Sequence, residues 1–215
     1  MNRANILYSV FEQPCDIWAY GEGNGAWNIA AKSLSQESTV FSVGVGNDIS
    51  FDMAVHKAHG CRIVLIDPTP TGERTILFHS PLPASMIFLP VGLSHMDGNI
   101  SFSEPSHRDE GSFRLKGGDR KIEFPCRRLS TLLKQHGVDV LDLLKMDIEG
   151  FEYTAIKDLI RSRCNVRQIC VEFHHGIVPG ISRWHTLGAI IRLRLAGYTL
   201  VNHVGLNHTF IKKSA

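Results

Sequence analysis

The sequence predicts a Rossmann-like α/β domain, a doubly wound and mostly parallel sheet closed by a C-terminal antiparallel hairpin. Three observations carry this. Short apolar, β-branched runs alternate with segments of helical periodicity. A glycine turn joins the first such strand to the first helix, and an acid ends the second strand. The last two apolar runs lie too close together for a helical crossover.

The first strand is Val40-Phe41-Ser42-Val43, and the turn is Gly44-Val45-Gly46-Asn47-Asp48. A helical pattern follows, with Phe51, Val55 and Ala58 on one face and Gly60 as its stop. The second strand, Ile63-Val64-Leu65-Ile66, ends in Asp67-Pro68. Thr39 to Pro70 therefore reads as one βαβ unit for a nucleoside-bearing ligand. The glycines let backbone approach the ligand, and Asp67 is placed to accept hydrogen bonds from ribose hydroxyls.

The same unit discriminates between ligands. A dinucleotide fingerprint wants a third glycine at position 49, which is Ile49. No phosphate-cradling lysine is present, and Asp48 at the helix opening would repel a pyrophosphate. The site suits a ribose-bearing ligand without phosphates, of which S-adenosylmethionine is the common example. Asp48 alone reads equally well as a helix N-cap.

Thr69 to Thr75 is turn-rich and opens a helix. Met86-Ile87-Phe88-Leu89 is a strand broken by Pro90. Met96-Asp97-Gly98-Asn99 resembles a hairpin turn before Ile100-Ser101-Phe102. Residues 103–120 are polar and glycine-rich, the pattern of a mobile substrate loop. Leu129 to His136 is a short helix closed by Gly137, and Val140 to Met146 is a buried strand. A helix carries Tyr153, Ile156, Leu159 and Ile160 on one side, and Val166 to Phe173 is the next strand. Ser182 caps a helix expected to turn Trp184, Leu187, Ile191 and Leu195 inward. Tyr198–Val201 and His208–Ile211 form the final hairpin. A hairpin added to such a sheet is a hallmark of the class I methyltransferase fold. Ligands in open sheets bind beyond the strand carboxyl ends. Those positions are Gly44 to Asp48, Asp67, Gly92 and Leu93, Asp147 to Glu149, and Glu172 to His175.

The chain has 215 residues and a formal net charge of +2. The expected organisation is an N-terminal extension over 1–38, packed on one domain over 39–215. Trp27 in the extension suits a core anchor or a lid. Near-neutral charge gives no electrostatic case for nucleic acid or acidic membranes. No segment reaches membrane-spanning length, and Met1 to Pro14 lacks a signal-peptide pattern. Five scattered cysteines without a Cys-x-x-Cys pair read as reduced thiols of a cytoplasmic protein.

Leu144-Lys145-Met146-Asp147-Ile148-Glu149-Gly150-Phe151-Glu152 is the second informative stretch. Alternation puts Asp147 and Glu149 on one side if the strand stays extended. Two acids at a strand end serve acid–base chemistry or a hard cation. A plainer reading leaves Asp147 in the cleft and gives Glu149 and Glu152 to the next helix N-terminus. Lys145 is either structural or substrate-facing.

This stretch resembles the Lys-x-Asp-x-Glu-Gly-x-Glu core of the FkbM family of methyltransferases. The run Ser42 to Asp52, the ending Asp67-Pro68-Thr69-Pro70, Leu129 to Leu133, and Val171-Glu172-Phe173-His174-His175 match in order and spacing. The resemblance spans roughly Trp27 to the C-terminus. It implies S-adenosylmethionine as cofactor, O-methylation of a small molecule or sugar, and cofactor contacts at Gly44, Gly46 and Asp67. One departure stands out. Many class I methyltransferases carry an acid at the position of Ser42, so Asp48 and Asp147 become candidates for the cofactor's ammonium.

A hydroxyl acceptor must lose its proton, and histidine is the usual base. His174 and His175 follow a central strand beside the acidic strand end, and His174 shares a face with Glu172. His174 is the first choice as base, with Asp147 or Glu172 orienting the site; either histidine alone also suits a polar loop residue. Asp147, Glu149, Glu172 and a histidine could hold a Mg²⁺-type ion, but no spacing demands one and no metal is assigned. A non-catalytic nucleoside-binding scaffold is the rival reading. An NAD-dependent oxidoreductase is a third, opposed by the missing glycine.

Overall fold

The computed structural model describes residue 8 and residues 11–13, 15–30, 34–105, 112–117 and 120–213. Strands β1 (Trp18–Tyr20) and β2 (Trp27–Ile29) form an antiparallel hairpin. The central strand β3 (Thr39–Val43) is followed by helix α1 (Ser50–His59), β4 (Arg62–Ile66), α2 (Pro70–Phe78) and β5 (Met86–Leu89). Then come β6 (Gly92–Leu93), β7 (Gly98–Ser103), β8 (Lys121–Arg127), α3 (Leu129–Gln135), β9 (Leu141–Met146) and α4 (Glu152–Arg161). The chain closes with β10 (Val166–Glu172), α5 (Arg183–Leu195), β11 (Tyr198–Val204) and β12 (Asn207–Lys212).

The main sheet has seven strands in the order β11-β12-β10-β9-β3-β4-β5. The five strands β10-β9-β3-β4-β5 are parallel, and β12 and β11 add the antiparallel hairpin. The chain order reverses at β3, between β4 and β9, so a ligand crevice opens at the β3–β9 carboxyl ends. Val40 to Val43 and all six residues of β9 are buried, as expected for parallel strands covered on both faces. One apolar cluster, including Phe41, Leu144 and Ile156, packs on one face; another, including Trp27, Val40, Val55 and Leu65, packs on the other. The packing of Trp27 and Ile29 ties the β1–β2 hairpin to the sheet.

Local signals act where the sequence places them. Gly60 adopts φ +64 after α1, which only glycine does cheaply. Thr69 caps α2 by accepting from the Gly72 N–H at 3.2 Å, with Pro70 in its first turn.

Three expectations are corrected. Met96 to Asn99 does not fold β6 onto β7 as a hairpin. Both strands flank β8 in a separate three-stranded sheet, β6-β8-β7. Ala58 is exposed, and Asp52 is the buried neighbour of Phe51 and Val55 on α1. Helix α5 turns Thr186, Ala189, Ile190 and Leu193 inward, leaving Trp184, Ile191 and Leu195 exposed. Its small and branched residues fit closer to the sheet than a tryptophan face would. Within the polar stretch 103–120, Ser103 bridges to Arg114, and the Leu115 N–H donates to the Glu149 carbonyl. Residues 106–111 and 118–119 of that stretch lie outside the described residues.

Candidate active site

A cavity of about 400 Å³ lies at the carboxyl ends of β3, β4 and β9. Its floor is the glycine turn after β3, held from both sides. Gly44 has φ +86, and a Cβ there would overlap the Asp147 carbonyl oxygen. Asp67 is only 4% exposed, and its Oδ2 accepts from the Val45 and Gly46 N–H groups at 2.9 and 3.0 Å. Its Oδ1 accepts from the Thr69 N–H at 2.8 Å. Asp67 thus builds the turn as well as facing the cavity, a role the strand-end argument did not supply.

Gly44, Gly46, Asn47, Asp48, Asp67, Gly92, Leu93 and Asp147 all line this cavity. Asp48 is exposed, and its Oδ1 accepts from the Ser50 N–H at 2.6 Å, fixing the start of α1. Phe102, Phe113 and Phe151 line the cavity too, with Phe102 and Phe151 ring centroids 4.5 Å apart. The small sheet thus contributes Phe102 to an aromatic part of the cavity wall that Phe113 and Phe151 complete.

Sequence reasoning missed the chemistry beneath that turn. Lys145 is buried; its Nζ donates to the Gly44 carbonyl at 2.6 Å and lies 5.2 Å from the Trp27 ring centroid. Asp52, from α1, is 2% exposed and lines the cavity with Lys145, Trp27 and Gly25. Burial pushes its carboxyl well above the ordinary range, against the pull of Lys145. In sequence Asp52 is only an acid in a helix's first turn, so no local signal marks it.

A second polar group sits behind Asp147. His174 is 3% exposed; its backbone N–H donates to Glu152 Oε1 at 2.9 Å, and its Nδ1 lies 3.3 Å from the same oxygen. Its Nε2 lies 3.5 Å from Asp147 Oδ1 and 3.6 Å from Glu149 Oε2. Burial lowers its pKa, but Glu152, Glu149 and Asp147 outweigh burial and raise it to about 9. At neutral pH this histidine rests as imidazolium. Glu172 is raised to about 7, first by burial and then by Asp147. Glu149 adopts φ 50, and its Oε2 lies 3.3 Å from Arg114 Nε. The ligand atoms of Asp147, Glu149 and His174 lie within 4.8 Å of one another, near enough to hold a cation.

The structure brings Asp147, Glu172 and His174 together but divides them. Asp147 and Glu149 face the cavity, while Glu172 and His174 stand behind them. His175 turns away: its Nδ1 lies 2.9 Å from Thr186 Oγ1 of α5, and burial together with Arg183 lowers its pKa.

A seven-stranded sheet of this order, with its cavity at the β3–β9 switch point, defines a class I methyltransferase. The Methyltransferase FkbM domain matches residues 23–200, and the chain belongs to that family. Its cofactor is S-adenosylmethionine. The fold is similar to that of the pre-rRNA processing protein fibrillarin of Methanococcus jannaschii. That likeness has 10% identity and a TM-score of 0.52, over 84% of this chain and 69% of that one. An rRNA methylase of Streptococcus thermophilus gives 14% identity and a TM-score of 0.49, over 86% and 92% of the two chains. At 10% identity the likeness to that fibrillarin concerns the fold alone. No curated protein matches the chain. No helix among the described residues is long and apolar enough to cross a membrane.

Proposed function

We propose that this protein transfers the methyl group of S-adenosylmethionine to a hydroxyl of a small molecule or sugar in the cytoplasm. The carrying observation is the character of the cavity wall. Among the described residues, five acids, Asp48, Asp52, Asp67, Asp147 and Glu149, line it against one cation, Lys145. Such a wall favours a sulfonium cofactor and disfavours a phosphodiester acceptor. Phe102, Phe113 and Phe151 offer faces for an apolar or sugar ring. The reading divides the chain as an N-terminal extension over 1–38, which contributes Gly25 and Trp27 to the wall, and a catalytic domain over 39–215.

Methyl transfer from a sulfonium is an in-line displacement, so the protein mainly positions the acceptor, a contribution of up to about 7–11 kcal/mol. The turn at Gly44 and Gly46 and the Asp67 carboxylate hold the ribose end of the cofactor. Asp147 takes the acceptor proton. Glu172, beside it, is raised to about 7 by burial and by Asp147, so it can hold a proton passed on from the site near neutral pH. His174 acts as a buried cation that orients Asp147 and Glu149 rather than as the base.

The test is calorimetry with S-adenosylhomocysteine, then transfer of labelled methyl groups to extracts of the source organism with mass identification of the product. Binding followed by labelling of a small hydroxyl compound is expected. Labelling confined to RNA would overturn the acceptor class. Binding with no transfer to any fraction would favour a scaffold.

A further inference from the structure

Beneath the Gly44 turn three polar side chains are shut away together. Asp52 Oδ1 and Ser42 Oγ are both shielded from solvent, and among the described residues neither has a hydrogen-bond partner of good geometry, although Ser42 lies near enough to Asp52 to pull on its carboxyl. Lys145 has three N–H donors, and the Gly44 carbonyl takes one of them. A fully buried carboxylate oxygen with nothing to accept from is costly. A structural ion pair would close Lys145 onto Asp52. Here Lys145 Nζ reaches the Gly44 carbonyl instead, and both side chains look into the cavity beside Trp27 and Gly25.

We infer that Asp52 and Lys145 are a clamp for an α-amino-acid zwitterion, Asp52 taking the ammonium and Lys145 the carboxylate of the cofactor's methionine end. The inference rests on the cofactor reading above. It also accounts for Ser42: the acid absent from the strand is supplied across the same space by the helix. Asp48 and Asp147 are less suited. Asp48 is exposed and engaged with the Ser50 N–H, and Asp147 faces His174. An acid and an amine, both desolvated and both lining the cavity, match a ligand end that brings an ammonium to the one and a carboxylate to the other. A ligand with only a sulfide and a nucleoside would leave both charges unanswered.

The experiment compares three probes on the full chain by calorimetry. S-adenosylhomocysteine carries ammonium and carboxylate, its decarboxylated analogue carries the amine alone, and 5′-methylthioadenosine carries neither. The wild-type protein should bind S-adenosylhomocysteine about tenfold or more tightly than methylthioadenosine. Asp52→Asn should weaken S-adenosylhomocysteine and the decarboxylated analogue by a similar factor and leave methylthioadenosine unchanged. Lys145→Met should weaken S-adenosylhomocysteine but leave the decarboxylated analogue nearly unaffected. Equal wild-type affinity for S-adenosylhomocysteine and methylthioadenosine overturns the clamp, and this outcome needs no variant to fold. Equal losses for all three probes in folded variants overturn it as well. If no probe binds, the cofactor reading falls too.

Discussion

Gly44 and Asp147 are in contact across the strand ends: a Cβ on the glycine would overlap the Asp147 carbonyl oxygen. The Asp147 N–H in turn donates to the Val43 carbonyl at 2.9 Å. The cofactor turn and the acidic motif are therefore one packed unit, although about a hundred residues separate them. Gly44→Ala must break both this approach and a φ of +86. The expected outcome is loss of S-adenosylhomocysteine binding and a lower melting temperature, read by calorimetry and thermal unfolding. Wild-type behaviour in both would show that the two strand ends do not meet.

Asp67 supports three backbone donors, those of Val45, Gly46 and Thr69. Each buried donor left unpaired costs about 1–3 kcal/mol. Asp67→Ala should thus reduce stability as well as weakening cofactor binding by more than about tenfold, since it also removes the ribose partner. Chemical denaturation alongside calorimetry separates the effects. Weaker binding with unchanged stability would leave the ribose role and remove the turn-building one.

The βαβ unit was legible because apolar runs and glycine punctuation are local. The carboxyl-end rule then placed every cofactor candidate on the cavity wall. Strand β8 was not legible: Pro125 within it counts against a strand, although its residues alternate in exposure as a strand's do. The inward face of α5 was misread because Trp184, Ile191 and Leu195 form a plausible apolar stripe, while the true face includes Thr186 and Ala189. Asp52 and the anchoring of His174 by Glu152 depend on contacts between elements remote in sequence, which periodicity does not reveal.

Apo-protein stability should fall as pH rises from about 6.5 to about 9 through two groups; below that range His208, lowered to about 4 by burial, acts in the opposite sense. Glu172 has a folded pKa raised to about 7, and His174 one raised to about 9. In both cases the folded state binds the proton more tightly than the unfolded chain. The stabilisation is complete below the unfolded pKa, near 4.3 for Glu and 6.5 for His, and is lost as pH rises through the folded value. Thermal melts across this range should show the decline. His174→Gln should flatten its upper half, and an unchanged upper half would mean His174 is not charged in the folded protein.

The acids at Asp147 and Glu149 meet their counter-charge inside the protein, from His174 Nε2 at 3.5 and 3.6 Å and Arg114 Nε at 3.3 Å. Turnover is accordingly expected to survive EDTA. Activity that disappears with chelator and returns with Mg²⁺ would instead make Asp147, Glu149 and His174 a cation site.

The roles within the acidic group separate by mutation. Asp147 faces the cavity, whereas His175 hydrogen-bonds to Thr186 and faces α5. A positioned general base contributes about 10²–10⁴-fold in rate. Asp147→Asn should lower turnover by that order, with S-adenosylhomocysteine affinity little changed. His175→Ala should stay within a few-fold of wild type. His174→Ala tests positioning: it removes the cation that orients both acids, so turnover falls while the acidic limb of the pH–rate profile, set by Glu172, shifts upward. The shift follows because removing a nearby positive charge makes the Glu172 carboxyl harder to ionise. A His174→Ala enzyme with lower turnover and no movement of that limb would return His174 to the role of base.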